Sequence, residues 1–308
     1  MPLKVTILGA ASAKPTVNTH PSAQIVNSNE QYYLVDAGEG VQQQMFRNGI
    51  NPLKLRAVFI SHLHGDHVYG LFPLLSTLSL YGRQTPLTVY APSPFGEILE
   101  GFKRYFEQHA TYEVIWCEVD TTKHELLFEN RSLEVWSIPL RHSLPAAGFL
   151  FREKAPELNV DKFKITKYGL SIAQIVLAKQ GEDVVLEDGT VIKNEELTYI
   201  PYRARSYAYL SDTAYSAKAA SLVKGVDLLY HEATYGMSDA INAKGRGHST
   251  THDAAKVAAK AEAARLIIGH FSSRYKGAYE ALAEECREIF PNTDIAAEGA
   301  CFTIEEQR

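Results

Sequence analysis

Cysteine is scarce in this 308-residue chain. Cys117, Cys286 and Cys301 are odd in number, far apart and without a Cys-x-x-Cys pair, which excludes a disulfide framework and favours a reducing, cytoplasmic compartment. No apolar run approaches the ~20 residues that a membrane helix needs. The N-terminus, Met1 to Gly9, enters a strand pattern directly, with no charged-then-apolar export segment. Positive charge is short as well: 31 Lys and Arg stand against 36 Asp and Glu, a net charge of −5. The whole molecule therefore has no basic footprint, and any nucleic-acid contact has to come from a local patch. Repeats with a period of roughly 20–50 residues and low-complexity tracts are absent too.

What is present is ordinary for a folded protein. The chain is 45% hydrophobic and 22% charged, long enough for one large or two modest domains. Strand patterns at 3–9, 31–36, 87–90, 112–119 and 133–139 alternate with helical spacing at 41–48, 68–83 and 96–108. Further on, Ala-rich helices near 216–224, 252–264 and 276–289 separate strands that end at Leu210, Tyr230 and Ile268. Such alternation predicts layered α/β packing, with one sheet face against helices.

One stretch stands apart. Ser61-His-Leu-His-Gly-Asp-His67 follows the apolar strand Ala57–Ile60 and gathers three imidazoles and a carboxylate. Histidine is only 11 of 308 residues, so this clustering reads as metal binding rather than chance. Neutral imidazole nitrogens and carboxylate oxygens are ordinary zinc ligands. His62 and His64, two apart on an extended loop, can share one ion. Asp66 and His67, displaced by the turn at Gly65, are free to face a second.

Three distant residues repeat the pattern of strand end followed by ligand type. They are His142, Asp212 in Ser211-Asp-Thr213, and His270 in Gly269-His-Phe271. Each alone is more often structural. Together at one sheet edge, they allow His62, His64 and His142 to complete one site, and Asp66, His67 and His270 the other, with Asp212 bridging. Two metals about 3.5–4 Å apart clamp the oxygens of a phosphoryl displacement and activate a water.

Residues 152–196 differ in character, with weak periodicity and turns at Asn159 and Glu187-Asp-Gly189. Between 152 and 180, Arg152, Lys154, Lys162, Lys164, Lys167 and Lys179 outnumber Glu153, Glu157 and Asp161. An inserted basic arm on an acidic protein is a candidate phosphate contact. A solvated loop with scattered lysines has the same composition.

These features resemble a known pattern. His62-Leu-His-Gly-Asp-His67 with distant His142, Asp212 and His270 looks like the metallo-β-lactamase superfamily. The nearer likeness is to the ribonuclease Z family of tRNA 3′-processing endoribonucleases. It is carried by Asp36-Ala-Gly-Glu-Gly40, Gly65 through Leu75 with Leu80-Tyr-Gly-Arg83, His231-Glu-Ala-Thr234 and His248-Ser-Thr250, and runs from Leu8 to about Arg274. The resemblance implies a four-layer αββα sandwich, one domain over 1–308, with 153–195 an inserted tRNA-binding arm carrying Lys162, Lys164 and Lys167. It implies two Zn2+ per subunit held by His62, His64, Asp66, His67, His142, Asp212 and His270. It implies a homodimer in which one subunit's arm presents precursor tRNA to the other's site. Asp66 would orient the attacking water and His248 would protonate the leaving 3′-oxygen, with Glu232 a candidate partner for His248 and Arg274 a phosphate fork.

The chain departs from that family's pattern in three places. Tyr168 to Val176 lacks the proline of the usual Gly-Pro-rich arm tip, Leu71-Phe-Pro73 replaces a commoner Leu-Pro-Gly, and His20-Pro21 stands where an arginine is frequent. Two other readings stay open. One is a superfamily phosphodiesterase acting on small substrates, the other a non-catalytic RNA-binding member of the fold.

Overall fold

A computed structural model describes residues 2–107 and 109–305. Strands β1 (Leu3–Gly9), β2 (Ala23–Ser28) and β3 (Gln31–Ala37) lead through helix α1 (Val41–Arg47) to β4 (Leu55–Phe59). Helices α2 (Gly65–Val68) and α3 (Leu71–Leu80) follow, then β5 (Leu87–Ala91), α4 (Phe95–Phe106) and β6 (Val114–Glu118). The second half opens with β7 (Leu126–Glu129), β8 (Leu133–Pro139) and β9 (Ala147–Glu153). Next comes an insertion of β10 (Asn159–Val160), α5 (Lys162–Tyr168), α6 (Ile172–Lys179), β11 (Val184–Val185), β12 (Val191–Ile192), α7 (Asn194–Leu197) and β13 (Thr198–Tyr199). The chain closes with β14 (Ser206–Leu210), α8 (Ala217–Leu222), β15 (Leu228–Glu232), α9 (Ala240–Arg246), α10 (Thr251–Lys260), β16 (Arg265–Gly269), α11 (Tyr279–Arg287), β17 (Thr293–Ile295) and β18 (Cys301–Ile304).

Two seven-stranded sheets result, ordered β18-β1-β2-β3-β4-β5-β6 and β17-β16-β15-β14-β9-β8-β7. Strands buried on both faces sort their side chains by the period of two. Val35, Phe59, Phe149, Tyr209, Tyr230 and Ile267 point between the sheets. Their neighbours Leu34 and Val58 pack under α1, α3 and α4, while Leu229 and Ile268 pack under the alanines of α8, α10 and α11. The layers are helix, sheet, sheet, helix, the sandwich that the resemblance implies, and each sheet has one face against helices as the alternation predicts. β3, β4, β5 and β6 run parallel, as do β14, β15, β16 and β17. Their carboxyl ends meet at one edge, the place where α/β sheets put ligand-binding loops.

Local departures from the sequence reading have physical causes. The helix expected over 68–83 is two, because Gly70 seats against the β3 end. Its N–H donates to Ala37 O at 2.8 Å, and a Cβ there would lie 2.1 Å from Gly38 O. Asp66 and His67 therefore sit on the single turn of α2, not on a loop. The helix expected at 96–108 ends at Phe106, and its position 108 lies outside the described residues. Strands β2 and β9, unread in the sequence, are both buried and complete the two sheets.

The insertion has a small core of its own, built from Val160, Leu170, Ala178, Val184 and Leu197. Asp161 caps α5 by accepting from Phe163 N at 2.8 Å, and Ser171 forms a capping box with Gln174 on α6. Expected over 153–195, its own elements run from Asn159 to Tyr199. Glu153 belongs to β9 instead, where its buried carboxylate accepts from Arg205 Nε and Nη2, each at 2.7 Å.

Candidate active site

Every chemically marked residue of the central loop follows β4, and the distant ones follow β8, β14 and β16, so the fold delivers them to one edge. Asp36, Asp212 and His270 take left-handed backbone angles, with φ of 54°, 58° and 59°. Non-glycine residues rarely hold that conformation, at a cost of order 1–3 kcal/mol each, and it turns these side chains out of the strand direction, so that Asp212 and His270 border the cleft and Asp36 lies buried behind it.

Two groups assemble, His62, His64, His142 and Asp212, and beside them Asp66, His67 and His270; a third, Asp212, His248 and His270, overlaps both. The Asp212 carboxylate is shared. Its Oδ2 lies 3.5 Å from His62 Nε2 and 3.7 Å from His142 Nε2. Its Oδ1 lies 3.3 Å from His67 Nε2 and 3.2 Å from His270 Nε2. Asp66 Oδ2 completes the second group at 3.6 Å from His67 and 3.7 Å from His270. His64 Nδ1 completes the first, 3.0 Å from His62 Nε2 and 3.3 Å from His142 Nε2. Ligands about 2.0–2.1 Å from a tetrahedral zinc are separated by roughly 3.3 Å. The donor sets have that spacing.

The neighbouring bonds fix which nitrogen faces the cleft. His67 Nδ1 donates to Asp36 Oδ2 at 2.7 Å, and His62 Nδ1 to Ser61 Oγ at 3.0 Å. His142 Nδ1 donates to Gly247 O at 3.0 Å, and His270 Nδ1 to Thr234 Oγ1 at 2.8 Å. With Nδ1 protonated in all four rings, Nε2 presents its lone pair inward, the arrangement that carboxylate–histidine–metal sites use. His67 Nε2 and His270 Nε2 are buried and have no hydrogen-bond partner, although buried polar atoms normally have one. A pair of metal ions fits this observation.

Charge follows burial and neighbours. Burial, with His67 beside it, holds His62 well below the usual imidazole range. At His67 burial opposes the charge, but Asp212 and Asp36 outweigh it and draw the group well above that range. Burial likewise opposes the Asp212 carboxylate, yet His270, His67 and His62 hold it well below the usual value. The raised His67 and the lowered Asp212 describe a place for positive charge between them, while His62 stays a neutral donor.

The cleft is a cavity of about 470 Å³ walled by Ser12, Ala13, Pro15, Pro21, Glu39 and Tyr69 around the clustered residues. The 10–22 loop is tied down at both ends: Ala13 N donates to Asp66 Oδ2 at 2.8 Å, and His20 Nδ1 contacts Glu298 Oε2 at 2.8 Å. The latter explains what the histidine does in place of an arginine. It anchors the loop from behind and does not enter the cleft. His248 does line the cleft. Its Nδ1 donates to the buried Glu232 Oε1 at 2.9 Å, which realises the sequence-level pairing. Burial opposes its charge, and Glu232 outweighs burial and raises the group to about 9. Bound dications would offset part of that rise.

The structure does not bring every predicted residue here. The Arg274 guanidinium pairs with Asp239 and lies over the Tyr235 ring, 5.1 Å from its centroid. It does not line the cleft. Lys162, Lys164 and Lys167 ride on α5 in the insertion. Asp36 went unassigned in the sequence, although it is the hub: it accepts from Ser61 N, Ser61 Oγ, His67 and Tyr209 Oη, at 2.7, 2.9, 2.7 and 2.7 Å. Its place at the end of a buried strand was the available signal.

Comparison with known proteins agrees with this geometry. The chain is 39% identical over 298 residues to ribonuclease Z of Bacteroides thetaiotaomicron, covering 97% of this chain and 94% of that one. It is 41% identical over 300 residues to ribonuclease Z of Parabacteroides distasonis, covering 97% and 98%. The chain belongs to the ribonuclease Z family. Residues 3–188 also match the family model described as anti-Pycsar protein Apyc1; that is more than half of the chain, which belongs to that group as well. The match takes in the metal loop and His142 but stops short of Asp212, His248 and His270, whereas the ribonuclease Z likeness extends past them. Among solved structures, the short form of human tRNase Z superposes with a TM-score of 0.72 at 23% identity, over 98% of this chain and 99% of that one. A metallo-β-lactamase fold protein from Bacillus subtilis gives 0.69 at 20%, over 98% and 100%. The fold is that of the metallo-β-lactamases.

Proposed function

We propose that this ribonuclease Z family member cuts precursor tRNA beside the discriminator, leaving a tRNA 3′-hydroxyl and a trailer with a 5′-phosphate. The Asp212 carboxylate, shared between two sets of inward-facing nitrogens, carries this reading, because phosphodiester displacement is what such a paired site serves. His62, His64 and His142 would hold one Zn2+, Asp66, His67 and His270 the other, and Asp212 both, two ions per subunit. Bound there, zinc supplies Lewis acidity that lowers the pKa of a water and offsets charge on the phosphoryl oxygens.

The chain's own groups do the rest. Asp66, fixed by Ala13 N, orients the attacking water and receives its proton. A bond forms from that oxygen to phosphorus, the bond from phosphorus to O3′ breaks, and His248 gives O3′ its proton. Glu232 holds the imidazole in position and keeps it charged until that step. Lys162, Lys164 and Lys167 on the inserted arm would meet the RNA backbone, whereas Arg274 stays with Asp239. The enzyme works in the cytoplasm as a homodimer, one subunit's arm holding tRNA for the other's cleft.

The test uses purified protein and a precursor tRNA with a short 3′ trailer, with zinc, with chelator, and with His64→Ala. The expected result is one metal-dependent cut beside the discriminator, lost in the variant. Robust hydrolysis of bis(4-nitrophenyl) phosphate without RNA cleavage would overturn the tRNA assignment in favour of a small-substrate phosphodiesterase. Full cleavage by a monomer in sedimentation would overturn the dimer.

A further inference from the structure

His248 borders two cavities. One is the cleft already described. The other, about 310 Å³, lies on its far side between α9, the start of α10 and the 214–215 loop, lined by Tyr215, Met237, Lys244, His252 and Lys256 beside His248 itself. That volume is at the low end of ligand pockets, room for one nucleoside. Its chemistry is mixed in a particular way. Tyr215 and Met237 are exposed apolar surfaces at its rim. Lys244 and Lys256 are exposed ammonium groups, and among the described residues no ion pair engages either. His252 sits 3.8 Å from Glu288, and Asp253 is occupied by the capping box of α10, which leaves the two lysines as the uncommitted charges.

We infer that this second cavity is the leaving-side subsite: it seats the nucleotide that carries the departing 3′-oxygen, with Lys244 and Lys256 on that nucleotide's own 5′-phosphate and Tyr215 against its base. The inference rests on the proposed cleavage, and its logic is directional. In-line displacement places the attacking and leaving oxygens on opposite sides of the phosphorus. The attacking side is among the clustered histidines and Asp66. A proton from His248 reaches the leaving oxygen only if that oxygen lies at the imidazole, so the nucleotide attached to it continues past the ring. The cavity beyond the ring is where it arrives. A base on an aromatic face together with a phosphate between two lysines is how single-stranded nucleic acid is held without sequence readout. The trailer, by contrast, leaves from the metal side and does not meet these lysines.

Two probes separate this inference from the reading beneath it. The first is an acceptor-stem minihelix ending in a 3′-hydroxyl, and the second a short trailer RNA with a 5′-phosphate, each followed by fluorescence anisotropy against salt. Lys244→Ala/Lys256→Ala is expected to weaken minihelix binding about tenfold or more. It should also reduce the log–log salt slope by about 0.7, the value for the one single-strand phosphate that the two lysines share. Trailer binding should change no more than with the remote control Lys4→Ala/Lys54→Ala, at the opposite ends of the strands. Tyr215→Ala is expected to cost the minihelix about tenfold, and Tyr215→Phe to restore it. In turnover, the double lysine variant should lose at least tenfold more kcat/KM on precursor tRNA than on bis(4-nitrophenyl) phosphate. Minihelix binding and salt slope equal to those of the remote control would overturn the subsite. If the wild type binds the minihelix through these lysines yet cuts no precursor, the subsite stands and the cleavage assignment falls.

Discussion

The metal cleft and the inserted arm are built by opposite rules. In the cleft every functional group is over-determined. His62, His67, Asp212 and His270 are almost wholly buried, four imidazoles are each held through Nδ1, and one buried carboxylate, Asp36, accepts four hydrogen bonds. The arm has a small core, two short two-stranded sheets and exposed residues such as Phe163, Ile172, Lys162 and Lys167. Reaction chemistry needs donors placed to a fraction of an ångström, so it sits where two sheets fix it. A grip on a polyanion, the role proposed for the arm, tolerates variation, because charge acts over a Debye length of about 8 Å. This difference explains how the arm tip can lack a proline while the cleft keeps a complete donor set.

The strongest way to break the comparison is at the shared carboxylate. Asp212→Ala removes the oxygens common to both groups, and turnover of precursor tRNA and of bis(4-nitrophenyl) phosphate should fall together, by about 10³-fold or more, with lower zinc content. Retained activity on either substrate would show that the two groups act separately. Next is excision of the arm. Replacing 159–199 by a short Gly-Ser linker, while sparing the buried Glu153–Arg205 pair, should lower kcat/KM on precursor tRNA about 100-fold and leave small-substrate turnover within about threefold. Equal loss on both substrates would mean that the arm supports the cleft.

Asp36→Ala tests whether the hub matters as much as the ligands it orients. It strands Ser61 N, Tyr209 Oη and His67 Nδ1 in the interior, so zinc affinity should weaken about 10–100-fold. Stability should drop by about 2–4 kcal/mol, read by denaturant titration. Within the arm, Lys162→Ala/Lys164→Ala/Lys167→Ala should raise the KM for precursor tRNA about tenfold near 0.15 M salt, an effect that fades as salt rises. The smallest change is expected at Arg274. With its guanidinium engaged by Asp239 and half-exposed, Arg274→Ala should alter tRNA turnover by about twofold or less; a tenfold loss would mean that it leaves Asp239 for the RNA.

Much of this was readable along the chain. The spacing of His62, His64, Asp66 and His67 is local, and the apolar runs before them have to be strands that end there. Less readable were features whose meaning depends on what lies across the fold. β9 follows Pro145 and looks like one more apolar run until it is flanked by β8 and β14. Arg274 reads as a free cation four residues past His270, but its partner Asp239 comes from the segment after the neighbouring strand β15. His20 reads as a lost arginine, and only the approach of Glu298 from the C-terminal segment gives it a task.

The sequence by itself determined the donor types, their placement at strand ends and the layered α/β packing, because those follow from side-chain chemistry and from periods of two and 3.6 residues. Tertiary structure decided which nitrogen of each imidazole faces inward, that Asp212 serves both groups, and that Asp36 and Glu232 hold their histidines. Those depend on hydrogen bonds between residues as far apart as Asp36 and Tyr209, and such contacts exist only once two sheets have closed on each other.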